Sequence, residues 1–171
     1  MTGIYLYDKN IFEAVNNIKP SPRGELEISD AHQYFLDKGF DVSYSEITGW
    51  WKDTGKPSDL LEANRLVLDN IKSDFKGSVD ENSTVSGRVQ IGANSRVINS
   101  NIRGPAVIGD NTTIEESYVG PYSAIGKGCT ISGSEVEYSI IMDGCHIIQV
   151  QRRIESSLLG NDVEILRSKN R

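Results

Sequence analysis

Arg23, Asp53 and Tyr5 are the side chains of this sequence whose types and surroundings best suit chemistry. Arg23 lies in a loop containing Pro20, Pro22 and Gly24, just before the carboxylates Glu25 and Glu27. A guanidinium there can hold a phosphate at two points, because its planar fork matches two oxygens. The same spacing also suits a surface ion pair with a neighbouring glutamate. Asp53 sits among Trp51, Lys52, Thr54 and Gly55. A carboxylate on a tight loop can bind Mg²⁺, which keeps much of its water and needs only one or two protein carboxylates. It can equally brace a turn before Gly55. Tyr5 can stack on or hydrogen-bond to a sugar, or fill a core.

The elements around these residues read as an α/β arrangement. Gly3 to Tyr7 alternates like a strand, with nothing before it to pair against, so its neighbours are expected outside this chain. Asp8 is placed to cap a short helix over 9–18, with Ile11, Val15 and Ile18 on one side. Pro20 and Pro22 stop it. A second helix is predicted from Ser29 or Asp30 to Lys38, with Gly39 as its stop and Ile28, Ala31, Phe35 and Leu36 facing inward. Phe40 to Ile47 reads as a strand. Pro57 and Ser58 open a third helix over 57–73, with Leu60, Leu61, Asn64, Val67, Leu68 and Ile71 inward.

From Val79 the pattern changes. An aliphatic residue returns every five or six positions: Val79, Val85, Ile91, Val97, Ile102, Ile108, and on to Leu159 and Ile165. That period fits neither a helix nor one alternating strand. It predicts a parallel β-helix of about five coils, with three short strands per coil pointing one aliphatic residue each into a triangular core. The fifth position of a unit is small: Ser83, Ser95, Thr112, Ser123, Cys129, Cys145. Both cysteines therefore read as small core residues rather than as a disulfide or metal pair. Gly87, Gly104, Gly133 and Gly144 suit corners that need positive φ. The stretch Gln149 to Arg153 is the longest gap in the repeat and the best candidate for a bulge.

The sequence thus divides into a short α/β segment, 1–76, a β-helix, 77–167, and a tail, 168–171. Its 171 residues carry a formal net charge of −6, and no basic run is longer than Arg152-Arg153. Nucleic acid is not the expected partner. There is no signal-peptide pattern and no apolar run of membrane length, so a cytoplasmic, non-membrane protein is expected.

Taken together, Gly3-Ile4-Tyr5, Arg23-Gly24-Glu25-Leu26-Glu27-Ile28-Ser29-Asp30 and Trp51-Lys52-Asp53-Thr54-Gly55, in this order and spacing, resemble the sugar-1-phosphate nucleotidylyltransferases. In that family a similar R-G-E-L-E-I-T-D run precedes W-x-D-T-G by about thirty residues, and Ser29 replaces the usual threonine. The resemblance implies that 1–76 is the end of a catalytic domain and that the hexapeptide repeat after it winds left-handed. It implies Arg23 on the phosphate of a sugar 1-phosphate, Tyr5 against the hexose, and Asp53 as one of two carboxylates holding Mg²⁺. A nucleoside triphosphate would be the second substrate, and the β-helix would join copies into a homo-oligomer. The family's Gly-rich G-x-G-T-R-L nucleotide loop is not present in these 171 residues, so no complete catalytic set is expected and the isolated chain is predicted not to turn over. Two other readings use the repeat alone. One is an acetyl-CoA-dependent acyltransferase with His146 as its base. The other is an assembly or regulatory module making contacts through exposed Tyr118, Tyr122 and Tyr138.

Overall fold

The computed structural model describes residues 4–167 and separates into two compact units, one up to Trp51 and one from Lys52 onward. The predicted tail, 168–171, and Gly3 of the first motif lie outside the described residues.

The first unit is built on two helices, α1 (Ile11–Asn17) and α2 (Ile28–Asp37). Their shared core is small: Ala14, Ala31 and Phe35 are buried, with Tyr7, Ile11, Ile18, Tyr34 and Phe40 against them. The inward faces differ from expectation. Ala14 rather than Val15 is buried on α1, and on α2 Ile28 and Leu36 are exposed while Ala31 and Phe35 are inside. Two short helices can share only a narrow stripe. Asp8 does brace the first helix, but from outside it, accepting the backbone N–H of Asn10 at 2.9 Å. The two runs predicted as strands, around 4–7 and 40–47, form no strand.

In the second unit α3 (Pro57–Leu68) starts with Pro57 in its first turn, where the missing N–H costs nothing. Asp59 accepts the backbone N–H of Lys56 at 3.0 Å. Leu61 and Leu68, two turns apart, are buried, whereas Leu60 and Val67 are exposed. The helix ends earlier than 73 because the chain is already drawn into the solenoid: Asp74–Phe75 pairs with Gln90 and Ile91.

The solenoid consists of three parallel sheets of six, six and five strands. One stacks Asp74–Phe75, Val89–Ile91, Ala106–Ile108, Ser123–Ile125, Ile140–Ile141 and Leu158–Leu159. The second stacks Ser78–Val79, Arg96–Ile98, Thr113–Glu115, Thr130–Ser132, His146–Ile148 and Glu164–Leu166. The third stacks Thr84–Ser86, Asn101–Arg103, Tyr118–Val119, Glu135–Glu137 and Ile154–Glu155. Every aliphatic position of the repeat lies in register with its counterpart one coil away: Val97 with Ile114, Ile131 with Ile147, Ile102 with Val119, Ile108 with Ile125. From Val89 to Ile147 these residues are almost wholly buried in one continuous core. Each such burial stabilises by about 1.5–3 kcal/mol relative to exposure, which is how two- and three-residue strands persist.

The small fifth position has a second use. The Ser95 hydroxyl donates to the carbonyl of Gly109 and accepts the backbone N–H of Thr112; Thr112 does the same with Gly126 and Cys129. Cys129 and Cys145 continue the column, their thiols donating to the carbonyls of Met142 and Gly160. Burial raises the Cys129 thiol above its ordinary pKa, so it stays a protonated donor. A parallel column of Ser83, Ser100, Ser117 and Ser134 accepts successive backbone N–H groups, ending on Val150 in the Gln149–Arg153 stretch.

Corners use left-handed backbone as expected at Gly87, Gly133 and Gly144, but Gly104 does not. There the requirement is space: a Cβ would fall on the backbone carbonyl of Arg88. Asn, Glu, Tyr, Gln, Ser and Asp occupy other left-handed corners. Tyr122, a bulky residue at φ 60°, is one. Helix α3 fixes it: Asn64 donates to the Tyr122 carbonyl at 3.0 Å, and the Tyr122 hydroxyl donates to Asp69 at 3.0 Å.

Candidate functional site

Arg23 sits on a loop that is closed by its own backbone. Ser21 N–H donates to the Glu25 carbonyl and Gly24 N–H to the Ser21 carbonyl, both at 2.8 Å, with Gly24 in the left-handed region. This hairpin of chain presents the guanidinium to Glu27, at the N-terminus of α2. Nη2 donates to both Glu27 oxygens at 2.7 and 2.8 Å, and Nε donates to Oε1 at 3.1 Å. Ser21 adds a hydroxyl to the same oxygen at 2.8 Å. The Arg23 and Ser21 hydrogen bonds hold the Glu27 carboxyl below the usual carboxylate range, and Glu27 in turn raises the guanidinium. The ion pair left open by the sequence is therefore formed. It uses one edge of the fork, and Nη1 makes no hydrogen bond with any described residue. Glu27 holds the guanidinium in one orientation, a role that spacing alone did not assign to it.

Tyr5 lies in the same unit, in a cleft whose lining does not include Arg23 or Glu27. Its ring packs against His32, centroids 5.3 Å apart. His32 also meets Tyr7, whose hydroxyl is 2.6 Å from Nε2. Desolvation, then the neighbouring Tyr5, raises the Tyr7 phenol above its ordinary pKa. These residues line a cleft of about 390 Å³ together with Phe35, Phe40 and Val42. His32 had no motif to mark it in the sequence, and only the packing of α2 against the first residues reveals it.

The motif Trp51–Gly55 straddles the two units: Trp51 closes the first and Asp53 belongs to the second. Asp53 is exposed. Its position is set by the residue before it. Lys52 donates to Glu62 at 2.6 Å and pairs with Asp59 at 3.5 Å, both on α3. The Glu62 hydrogen bond raises the Lys52 ammonium, against a smaller desolvation effect. A Lys ten residues before a Glu is not a helical spacing, so sequence periodicity could not pair them. No cluster of three metal-ligating side chains occurs among the described residues. One exposed carboxylate fits a Mg²⁺ that takes its other oxygens from water and substrate phosphates, and it does not make a protein cage.

The residues of the other two readings fall differently. His146 lies on the outer side of its strand between Thr130 and Glu164. A groove of about 580 Å³ along one corner of the solenoid is lined by Asn82, Asn99, Glu116, Tyr118 and Gln151 among others, none of them His or Cys. The three tyrosines are half-buried rather than exposed. Tyr118 lies under the Arg153 guanidinium at 4.9 Å, and Tyr122 meets Tyr138 edge-on at 6.2 Å.

The first seventy residues, 1–70, match the nucleotidyl transferase family. The particular relatives follow from the whole length. The chain is 46% identical over 168 residues to a glucose-1-phosphate thymidylyltransferase of Streptomyces antibioticus, covering 98% of this chain and 47% of that protein. It is 47% identical over 165 residues to the enzyme of that name from Streptomyces griseus, covering 96% and 46%. It is also 44% identical over 89 residues to the bifunctional protein GlmU of Methanocaldococcus jannaschii, covering 52% and 22%. The chain is thus similar through both units to proteins named glucose-1-phosphate thymidylyltransferase, and the segment that matches the nucleotidyl transferase family leads into a parallel β-solenoid. The chain spans about half the length of the curated relatives it matches most fully. No described helix is long and apolar enough to cross a membrane.

Proposed function

We propose that this chain is the C-terminal part of a thymidylyltransferase that transfers dTMP from dTTP to glucose 1-phosphate, giving dTDP-glucose and pyrophosphate. The similarity that runs through both units to proteins of that name, 98% of the chain at 46% identity, carries the reading. The phosphate oxygen of the sugar phosphate attacks the α-phosphorus in line, and the bond from that phosphorus to the α–β bridging oxygen breaks, its electron pair leaving on pyrophosphate. Such a reaction needs positioning and charge neutralisation more than a strong base. Arg23 supplies the first. Glu27 holds one edge of its fork, which leaves Nη1 for the sugar phosphate. Tyr5 lies against the hexose. Asp53, on the loop that Lys52 ties to α3, is one of two Mg²⁺ ligands, the second coming from outside this chain. The metal, when bound, screens the triphosphate charge. The nucleotidyltransferase part runs to residue 76, and the left-handed solenoid after it joins copies of a cytoplasmic homo-oligomer.

A chimaera tests this. The part of the Streptomyces antibioticus protein that this chain matches is exchanged for residues 1–171. Pyrophosphate release from dTTP and glucose 1-phosphate is expected, abolished by EDTA and restored by Mg²⁺. Arg23→Ala should raise KM for glucose 1-phosphate by about tenfold or more, the loss of a charge-assisted bond. A folded chimaera without turnover overturns the proposal, as does turnover by the 171-residue chain alone.

A further inference from the structure

Helix α3 is held by two groups of contacts that belong to different parts of the second unit. The first group ties down the loop that carries Asp53. Lys52 donates to Glu62 at 2.6 Å and pairs with Asp59 at 3.5 Å. On the other side of Asp53, the backbone N–H of Lys56 donates to the Asp59 carboxylate at 3.0 Å. The loop is therefore anchored to the first two turns of α3 at both of its ends, while Asp53 itself stays exposed.

The second group pins α3 to the solenoid. Leu61, Asn64 and Leu68 are spaced three and four residues apart and so share one face. The two leucines are buried, and Asn64 between them donates to the Tyr122 carbonyl at 3.0 Å. Asp69, just past the helix, accepts the Tyr122 hydroxyl at 3.0 Å and lies 3.8 Å from the Arg88 guanidinium. Tyr122 is a bulky residue in the left-handed region, a conformation that persists only where its surroundings over-determine it. Tyr138 repeats that corner one coil on, also at positive φ, and makes no hydrogen bond with α3. Contact with the helix is thus particular to Tyr122 and not a general property of the corner. Glu62 and Asp69 are seven residues apart, about 10 Å along a helix, whose own backbone bonds make it a stiff spacer between the two groups.

We infer that Tyr122 and Asn64 are positioning residues for the metal carboxylate: the solenoid holds α3, and α3 holds the Lys52–Lys56 loop that presents Asp53. This rests on the thymidylyltransferase reading, in which Asp53 is a Mg²⁺ ligand. The solenoid then has a use besides joining copies. It acts on the metal through α3 and contributes no ligand of its own. Mg²⁺ tolerates little departure from octahedral geometry, so a carboxylate on a loosened loop holds it less well.

The test reads the loop in the 171-residue chain and the metal in the chimaera. In the chain, Tyr122→Phe and Asn64→Ala should each speed amide hydrogen exchange over 53–56 by about threefold or more, as one hydrogen bond is lost. Exchange in the solenoid strands from Val89 to Ile148 should not change. Tyr138→Phe, which loses a hydroxyl from the equivalent corner, should leave the loop as it is. In the chimaera, Tyr122→Phe should raise the Mg²⁺ concentration for half-maximal turnover by about threefold or more, leave KM for glucose 1-phosphate unchanged and regain full kcat at excess Mg²⁺. Lys52→Met should give the same signature and Lys52→Arg should restore it. Adding Tyr122→Phe to Lys52→Met should then cost less than about twofold more, because both act through one helix. Unchanged exchange over 53–56 overturns the inference, as do fully multiplicative effects in the double variant or a lowered kcat that Mg²⁺ does not restore. A chimaera without turnover removes the thymidylyltransferase reading, and the exchange still decides whether the solenoid holds the Asp53 loop.

Discussion

In the solenoid Ile114 lies between Val97 and Ile131, one coil on either side, and its exposure is nil. In the first unit Leu6, just as apolar, is 92% exposed. Both sit in sequence patterns that spell strand. The difference is where the partner strand comes from. The repeat brings its own neighbour about 17 residues later, as from Ile114 to Ile131, so each strand is closed locally. The runs at 4–7 and 41–47 make no backbone hydrogen bond with any described residue. Local supply of partners pairs each strand of the solenoid, whereas the strand-like runs of the first unit stay unpaired among the described residues.

The largest expected effect sharpens that contrast. Ile131→Ala should destabilise the second unit by about 2–4 kcal/mol in denaturant unfolding, since it opens a cavity between coils. Leu6→Ala in the isolated chain should change stability by less than about 0.5 kcal/mol. Equal losses would erase the distinction between the units. Next, Thr112→Val removes the hydroxyl that accepts Cys129 N–H and donates to Gly126. Shape is kept but a buried N–H is orphaned, so a loss of about 1–3 kcal/mol is expected, read by the same unfolding curves. Gly104→Ala should cost a comparable amount, about 1–3 kcal/mol, because the new methyl meets the Arg88 carbonyl rather than a flexible side chain. Gly24→Ala should be milder, as its surroundings are open and only its backbone angle resists.

The smallest effects concern charge. Glu27 and Asp80 both lie below the ordinary carboxylate range, Glu27 through Arg23 and then Ser21, Asp80 first through the Ser83 hydroxyl and then, against a desolvation effect, through backbone N–H groups. A carboxylate depressed in the folded state contributes stability above its unfolded pKa and loses it as pH falls through the folded value. Both contributions should therefore fade on the acid side of the ordinary carboxylate range. Salt separates them. In a carboxyl NMR titration, 0.5 M added salt (about a 4–5 Å screening length) should move Glu27 toward its ordinary value. Asp80, held by hydroxyl and amide donors, should move less. An equal shift would mean that the solenoid corner is electrostatic after all.

Much of the second unit could be read directly. The aliphatic positions from Val79 to Ile165 fall in the three sheets as spaced, and the small fifth position accounts for both cysteines. A repeat states the same burial requirement many times, so single deviations do not obscure it. The serine column at Ser83, Ser100 and Ser117 was not legible, because a hydroxyl's partner lies one coil away in space. Gly104 shows the same limit: its type pointed to a turn, while the need was room beside Arg88. The site residues were visible as motifs but not as contacts. Arg23 and Glu27 are close in sequence, and their ion pair was one of two options; Lys52 with Glu62, and Tyr5 with His32, join elements whose orientation no local pattern contains.

What the sequence determined by itself is periodicity and local spacing: where aliphatic residues recur, that helices start at Pro57 and near Ile28, and which short motifs bring out the resemblance that residues 1–70 share with the nucleotidyl transferase family. These depend on spacing along the chain, which composition and order fix. Only the tertiary structure decided which groups are satisfied. It turned Arg23 onto Glu27, tied Lys52 to α3, and left the strand-like runs around His32 unpaired, because hydrogen bonding and burial are settled between distant segments.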